Sequence, residues 1–314
     1  PLYVQCHDWL AKILIGQGKS EEAQQELEAA VRISPRAVLR QLELGQLALS
    51  NESYTVAQDA FEQAMRLARY SCYKSSVTYQ QFVEAAQHNL DAEQTKENRL
   101  LCNKALRALD EMKQEFSGNM GVVFDATIAE SRTYKAVEDD NKARGSADKA
   151  EGVLARIKEP TGEQQLTMTE VYIDTGQSEK AANMVQVMKD QGVANKLLQR
   201  LGSIEERLSN INAREKSAEL NEKGVAHYER GELKEAIAAF DQATRFEEAG
   251  ISVLLNAIQA KVSYIENEQL DVGQLKDCYR LLRRVGNVGH FDERHDRYKR
   301  LKETCERLRR SAGL

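Results

Sequence analysis

The chain has 314 residues, 44 Lys and Arg against 49 Asp and Glu, and a formal net charge of −5. Hydrophobic residues make up 41% and charged residues 30%, so a core can form but much of the surface must be solvated. Only three prolines occur, and no apolar run approaches the ~20 residues needed to cross a bilayer, so no membrane insertion is expected. The charge is uneven: residues 280–314 carry +6 and the rest −11, an acidic body with a basic end, which excludes a uniformly basic nucleic-acid binder. Five scattered cysteines, Cys6, Cys72, Cys102, Cys278 and Cys305, show no CxxC spacing. They are expected as free thiols, buried or half-buried as small apolar side chains, in a reducing, cytoplasmic setting. The opening stretch "PLYVQCHDWLAKILIGQGKSEEA" lacks a basic start followed by a long apolar segment, so no signal peptide is expected. There is no initiator Met, and a fragment is expected.

In chain order, the sequence repeats itself. Residues 4–37 carry Gly18, Ala23, Leu27, Ala30 and Pro35, and residues 38–71 carry Leu44, Gly45, Tyr54, Ala57, Phe61 and Ala64. The two segments abut at a 34-residue period. Residues 76–90 and 93–116 predict a helix pair with a long second helix, along which Leu100, Leu101, Ala105, Ala108, Leu109 and Met112 keep helical spacing. "FSGNMG", 116–121, breaks it. Helices over 121–136 and 139–157 follow, with a weaker copy of the repeat in 124–157 (Tyr134, Ala143, Ala147, Ala150), and "KEPTG" ends them. Residues 162–195 restore the pattern with Tyr172, Gly176, Ala181, Val185 and Met188. Residues 196–216 predict an extra helical linker, the expected hinge between an N-terminal lobe, 1–195, and a C-terminal lobe, 217–314. Residues 217–250 repeat the motif with Gly224, Gly231, Ala236, Phe240 and Ala243. Segments 251–266 and 272–286 make a seventh pair, and the polar stretch 291–314 predicts a terminal helix that would shield the last apolar face.

The rationing of bulk has a physical cause. Ala23, Ala30, Gly45, Ala57, Ala64, Ala181, Gly224, Ala236 and Ala243 let two antiparallel helices draw close, while Phe61 and Phe240 fill the grooves beside them. A Gly between the helices, as in "QGK", "TGQ" and "RGE", suits a left-handed turn at a helix end.

These in-frame small residues resemble the tetratricopeptide repeat (TPR) family. The resemblance implies an all-α fold, a TPR-type α-solenoid: a right-handed superhelix of antiparallel helix pairs with a C-terminal capping helix. The motif's closing proline survives only as Pro35, and His7, Gln41, Gln165 and Leu220 stand where the family has tryptophan. A closer resemblance covers residues 1 to about 90. "ISPRAVLRQLELGQLALSNESYTVAQDAFEQAMRLARYSCYKSSVTYQQFVEAA" is similar to the repeats that follow the receiver domain in bacterial receiver–TPR response regulators. That likeness implies the output half of a two-component signalling protein. The sequence itself holds no βαβ alternation and no acidic cluster after a strand to serve as a receiver.

No catalytic, cofactor-binding or metal-ligating set is expected. HExxH, GxxxxGK[ST] and GxSxG are absent; His227 occupies a packing place in its repeat; His290 and His295 are five apart, which does not align two ligands on one helical face. A non-enzymatic scaffold is therefore expected. In the resembled family the first helix of each repeat lines a concave groove, which implies a lining of Asp8, Lys12, Gln46, Glu170, Asp174, Asn221, Val225 and Tyr228, with Leu39 and Leu42. Such a groove would take a protein partner, as a helix or extended peptide with apolar anchors and some basic character. Leu39, Leu42 and Val225 could equally be inter-repeat core. The alternative function is an RNA- or nucleic-acid-binding adaptor acting through Arg294, Arg297, Lys299, Arg300, Lys302, Arg307, Arg309 and Arg310. Self-association through the terminal helix or the 196–216 linker is a third possibility.

Overall fold

Alternating helix-forming stretches and tight turns give a chain of helical hairpins. The computed structural model describes residues 2–313 apart from 94, 193, 248 and 269–270, with Leu2 described by its backbone alone. The described residues contain no strand. The pairs are α1 (Leu2–Gly16) with α2 (Ser20–Ile33), α3 (Val38–Ser50) with α4 (Tyr54–Ala68), and α5 (Ser76–Asn89) with the long α6 (Lys96–Glu115). Next come α7 (Met120–Ala136) with α8 (Asp140–Leu154), and α9 (Gly162–Asp174) with α10 (Ser178–Gln191). After a single 3-10 turn, Asn195–Leu197, the long α11 (Leu198–Glu229) leads to α12 (Leu233–Ala243). The last pair is α13 (Ile251–Asn267) and α14 (Val272–Val285), closed by α15 (His295–Ser311).

Where the repeat has no strong sequence break, side-chain caps start the helices. The Thr95 hydroxyl accepts from the Asn98 amide, and Thr161 with Gln164 forms a reciprocal capping box. Asn119 Oδ1 accepts from the amides of Gly121 and Val122. That cap starts α7 at Met120, so the break expected over 116–121 is shorter than its sequence suggests.

The turn inside each regular hairpin is the same object five times. Gly18, Glu52, Glu138, Gly176 and Gly231 all have positive φ, between 57° and 78°. In each case the next residue's amide donates five residues back: Lys19 to Leu14, Ser53 to Ala48, Asp139 to Tyr134, Gln177 to Tyr172 and Glu232 to His227, at 2.7–3.0 Å. This Schellman geometry satisfies carbonyls that the ending helix leaves open. Glycine adopts it freely; Glu52 and Glu138 adopt it at a cost of about 1–2 kcal/mol for a left-handed L-residue.

Packing follows the same register. The alanines that open each second helix, Ala23, Ala57, Ala143, Ala181 and Ala236, are all fully buried. Ala30, Ala64, Ala150, Met188 and Ala243, each seven residues further along, are buried too. Facing them, one place on the first helix and one on the second trade volume. Gly45 faces Phe61 so closely that a Cβ would lie 2.7 Å from the ring, and at Gly224 it would lie 2.6 Å from Phe240. The same two places hold Ala11 with Leu27, Thr169 with Val185, and Ser131 with Ala147. In four of these five pairs the smaller first-helix residue goes with the larger second-helix one; Ser131 with Ala147, both small, is the exception.

Two compact units divide at 201/202, within α11. In the first unit, consecutive helices pack and the first helices also touch in sequence, α3 on α5, α5 on α7 and α7 on α9. Its main core gathers Phe61, Tyr79, Phe82, Leu109 and Met112. In the second unit, Phe240, Leu255, Ile258, Leu275 and Leu281 form one core, which α15 covers with Leu301 and Cys305. The sequence reading separated a linker, 196–216, from the helix that follows. Instead one helix, α11, runs through both, because no Gly or Pro stands between Gly202 and Gly224 to stop it.

Two details depart from expectation. Cys6 and Cys72 are exposed rather than buried; Cys102 is half-buried, and Cys278 and Cys305 are buried in the second core. Lys261 is fully buried, at 0% exposure. Its ammonium reaches Asp241 at 2.8 Å, Asp277 at 3.7 Å and Gln274 Oε1 at 2.6 Å, tying α12, α13 and α14 together. The ammonium is thus hydrogen-bonded to a carboxylate and an amide oxygen, with a second carboxylate close by.

Candidate partner-binding face of the first helices

The residues predicted to line a groove lie on α1, α3, α9 and α11, and most of their polar ends are engaged between neighbouring helices. Asp8 on α1 receives a bidentate grip from Arg40 on α3, Nε to Oδ1 at 2.8 Å and Nη2 to Oδ2 at 2.7 Å. The hydrogen bond from Arg40, assisted by its charge, holds the Asp8 carboxyl below its ordinary pKa. Glu170 on α9 accepts from Arg200 at 2.8 Å and lies 3.6 Å from Arg132 of α7. In the second unit, Asn221 of α11 accepts from Asn256 of α13 at 2.8 Å, and Tyr228 shares a 2.8 Å bond with Ser263. Val225 packs against the second core. These side chains work as cross-ties that fix one first helix to the next.

Three predicted positions face water. Lys12 is exposed, its ammonium 5.5 Å from the Trp9 ring centroid, and Gln46 and Asp174 are exposed on α3 and α9. The open apolar positions are more telling. Leu39 is 53% exposed and Val77 is 51% exposed. Each is the second residue of its helix, α3 and α5, and these two helices pack together. Leu42, by contrast, packs against the first unit's core. Of the three residues that might have been core, Leu39 alone is open. Leu39 was legible as a lining candidate, whereas Val77 was missed because α5 has Val83 at the place where α3 carries its landmark Gly45.

Each histidine has a structural neighbour. His7 meets Glu26 at 2.5 Å, His227 meets Glu232 at 2.6 Å, and His88 stacks on Tyr54 with centroids 4.1 Å apart. His290 and His295 come from a turn and a helix rather than one helical face, and their rings stand 4.3 Å apart. No group of three or more His, Cys, Asp or Glu is placed to hold a metal among the described residues. No helix among them is long and apolar enough to cross a membrane.

The basic end is partly engaged. Arg294 pairs with Asp292 at 2.7 Å, Arg297 donates to Asn256 at 2.8 Å, and Arg307 meets Glu266 at 2.5 Å. Burial pulls the Arg297 guanidinium below its ordinary value. Arg297 and Arg307 tie α15 to α13, while Arg294 pairs within its own turn.

Residues 4–36 match the family model described as the tetratricopeptide repeat. The fold is that of the TPR proteins. The turn at Gly18, repeated at four further places, and the buried alanines extend the same hairpin along both units. No curated protein is significantly similar to the sequence. Among solved structures, a thermophilic TPR protein from Thermus thermophilus is 18% identical, covering 64% of this chain and 98% of its own, with a TM-score of 0.42. A tetratricopeptide repeat protein from Parabacteroides merdae is 11% identical over 98% of this chain and 100% of its own, with a TM-score of 0.45. These global superpositions are loose, and the fold assignment rests on the matched repeat and the recurring hairpin geometry.

Proposed function

We propose that this chain is a non-enzymatic scaffold that holds a partner protein on the first-helix face of its N-terminal unit. One observation carries the reading: Leu39 and Val77, at matching places on adjacent helices, both stand about half open to solvent. Apolar anchors at one helix-to-helix spacing suit the apolar face of a partner helix or an extended peptide. Lys12 and Gln46, exposed on α1 and α3, would supply polar contacts to the same partner. The cross-ties Asp8–Arg40 and Arg132–Glu170–Arg200 hold the face rigid, so little ordering would be needed on binding.

The likeness of residues 1–90 to the repeats of receiver–TPR response regulators supports a finer proposal: a cytoplasmic output arm whose access is governed by a phosphorylated receiver. A receiver encoded ahead of residue 1 in the gene supports it, and its absence there removes it. The nucleic-acid reading is the weaker one, because Arg297 and Arg307 are engaged in tying α15 to α13 and Arg294 is paired with Asp292.

Affinity capture tests the main proposal. A partner recovered by the wild type should be lost by Leu39→Asp/Val77→Asp while the melting curve is unchanged, since both side chains are open. Undiminished recovery of every partner by that variant counts against this face.

A further inference from the structure

A second, different surface lies in the C-terminal unit. A notch of about 570 Å³ between α2 and α4 is walled by both acids and bases, Glu28 and Asp59 against Arg32, Arg36 and Arg66, so its charge selects nothing. A notch of about 420 Å³ between α14 and α15 is otherwise. It is lined by Leu275, Lys276, Tyr279, Arg280, Arg283 and Arg309: four cations and no acid. Lys276, Arg280 and Arg283 fall at i, i+4 and i+7, one face of α14. Arg284, the remaining cation of that helix, points elsewhere and donates to the carbonyls of Thr244 and Phe246. Arg280 lies 3.0 Å from Asp277 of its own helix. Among the described residues, Lys276 and Arg283 have no acidic partner, and both are exposed. Leu275 is buried at the floor beside the half-buried Tyr279.

We propose that this notch docks an acidic peptide segment carrying one apolar side chain. The charge complementarity is direct: the cations in line on α14, Lys276 and Arg283 above all, would meet carboxylates beside the apolar residue, which would rest on Leu275 and Tyr279. The volume lies in the range of small binding pockets, enough for one side chain and its neighbours. A nucleic-acid strand fits less well. Sequence-tolerant binding of single strands uses open aromatic faces, and the only aromatic ring here has the Arg309 guanidinium 5.9 Å from its centroid. This surface is separate from the Leu39–Val77 face, so either can fail without the other.

Fluorescence anisotropy with the full chain tests it. The probe is a labelled peptide of about twelve residues, Asp and Glu around one central Leu. The wild type should bind it saturably, and Lys276→Glu/Arg283→Glu should weaken binding at least about tenfold. Lys299→Glu/Arg300→Glu, an equal charge change on exposed residues of α15 outside the notch, should leave it within about twofold. Replacing the central Leu of the probe by Ser should weaken binding as well. Equal losses in both double variants would show a diffuse basic field and overturn the proposal. So would no saturable binding at low salt, indifference to the Leu, or tighter binding of an oligo-dT strand with the same dependence on Lys276 and Arg283. All the substituted residues are exposed, and an unchanged helical melting curve separates lost docking from lost folding.

Discussion

Repeat 38–71 and its weaker copy, 124–157, hold the same hairpin with different forces. In the first, Gly45 leaves a hollow and the Phe61 ring fills it. In the second, Ser131 and Ala147 stand at those places, and neither is bulky. There, the Ser131 hydroxyl donates to the Ala143 carbonyl at 2.7 Å, binding the two helices by a hydrogen bond. The neighbouring Glu130 is nearly buried and accepts from Lys113 at 2.7 Å, Ser146 at 2.9 Å and Lys149 at 3.4 Å. Burial alone would push that carboxyl's pKa up, but the hydrogen bond and charge of Lys113, with Ser146 and Lys149, outweigh it and leave it below the ordinary value. One hairpin is held by shape and the other by a satisfied polar network, on one backbone turn.

The sharpest way to separate them is to remove bulk. Phe61→Ala should destabilise by about 3–5 kcal/mol in urea unfolding, because a fully buried ring leaves a cavity that helices cannot close. Ala147→Gly, at the matching place, should cost only about 1 kcal/mol, mostly helix propensity. Equal costs would erase the distinction. Removing charge probes the polar repeat directly. Glu130→Gln should cost about 1–3 kcal/mol at neutral pH, the lower part of that span because Lys149 keeps much contact with water. The folded pKa of Glu130 is depressed, so its contribution is present above the ordinary value of 4.5 and fades as pH falls through the folded value. The difference between wild type and Glu130→Gln should therefore shrink on acidification below about pH 4.5, and a constant difference would contradict the network.

Smaller effects sharpen the shared turn. Gly176→Ala should cost about 1 kcal/mol, because φ is 70° there. Glu138→Gly, in the polar repeat, should instead stabilise by up to about 1 kcal/mol, since the same turn is made by a residue that resists it. Opposite signs at two equivalent turns, read by thermal melting, are the expected outcome.

The same contrast governs what could be read from the sequence. Where shape does the holding, as at Gly45 with Phe61 and Gly224 with Phe240, residue size carries the signal and the repeat is plain in the letters. Where hydrogen bonds do it, Ser131 and Glu130 look like ordinary helical surface, and 124–157 reads only faintly. Gly18, Gly176 and Gly231 mark their turns openly; Glu52 and Glu138 make the same turn with no letter to show it. The unbroken α11 was missed because the repeat pattern starts at 217 although the helix has no reason to stop before it. At the candidate face, residue positions were legible and their partners were not. Asp8 and Arg40 lie 32 residues apart, and only the folding of one hairpin against the next makes them a pair. The basic face of α14 is visible as a spacing, but Arg309 joins it only through the packing of α15.

The central claim is that, in the repeats held by shape, one place on the first helix and one on the second exchange volume. A double-mutant cycle on Gly45→Ala and Phe61→Leu, which transplants the Ala11–Leu27 pairing into the next repeat, tests it most directly. Gly45→Ala alone should destabilise by about 1–3 kcal/mol, since its methyl group would meet the Phe61 ring. With Phe61→Leu already present, the same glycine change should cost less, by at least about 0.5 kcal/mol. Strict additivity of the two changes would contradict the claim.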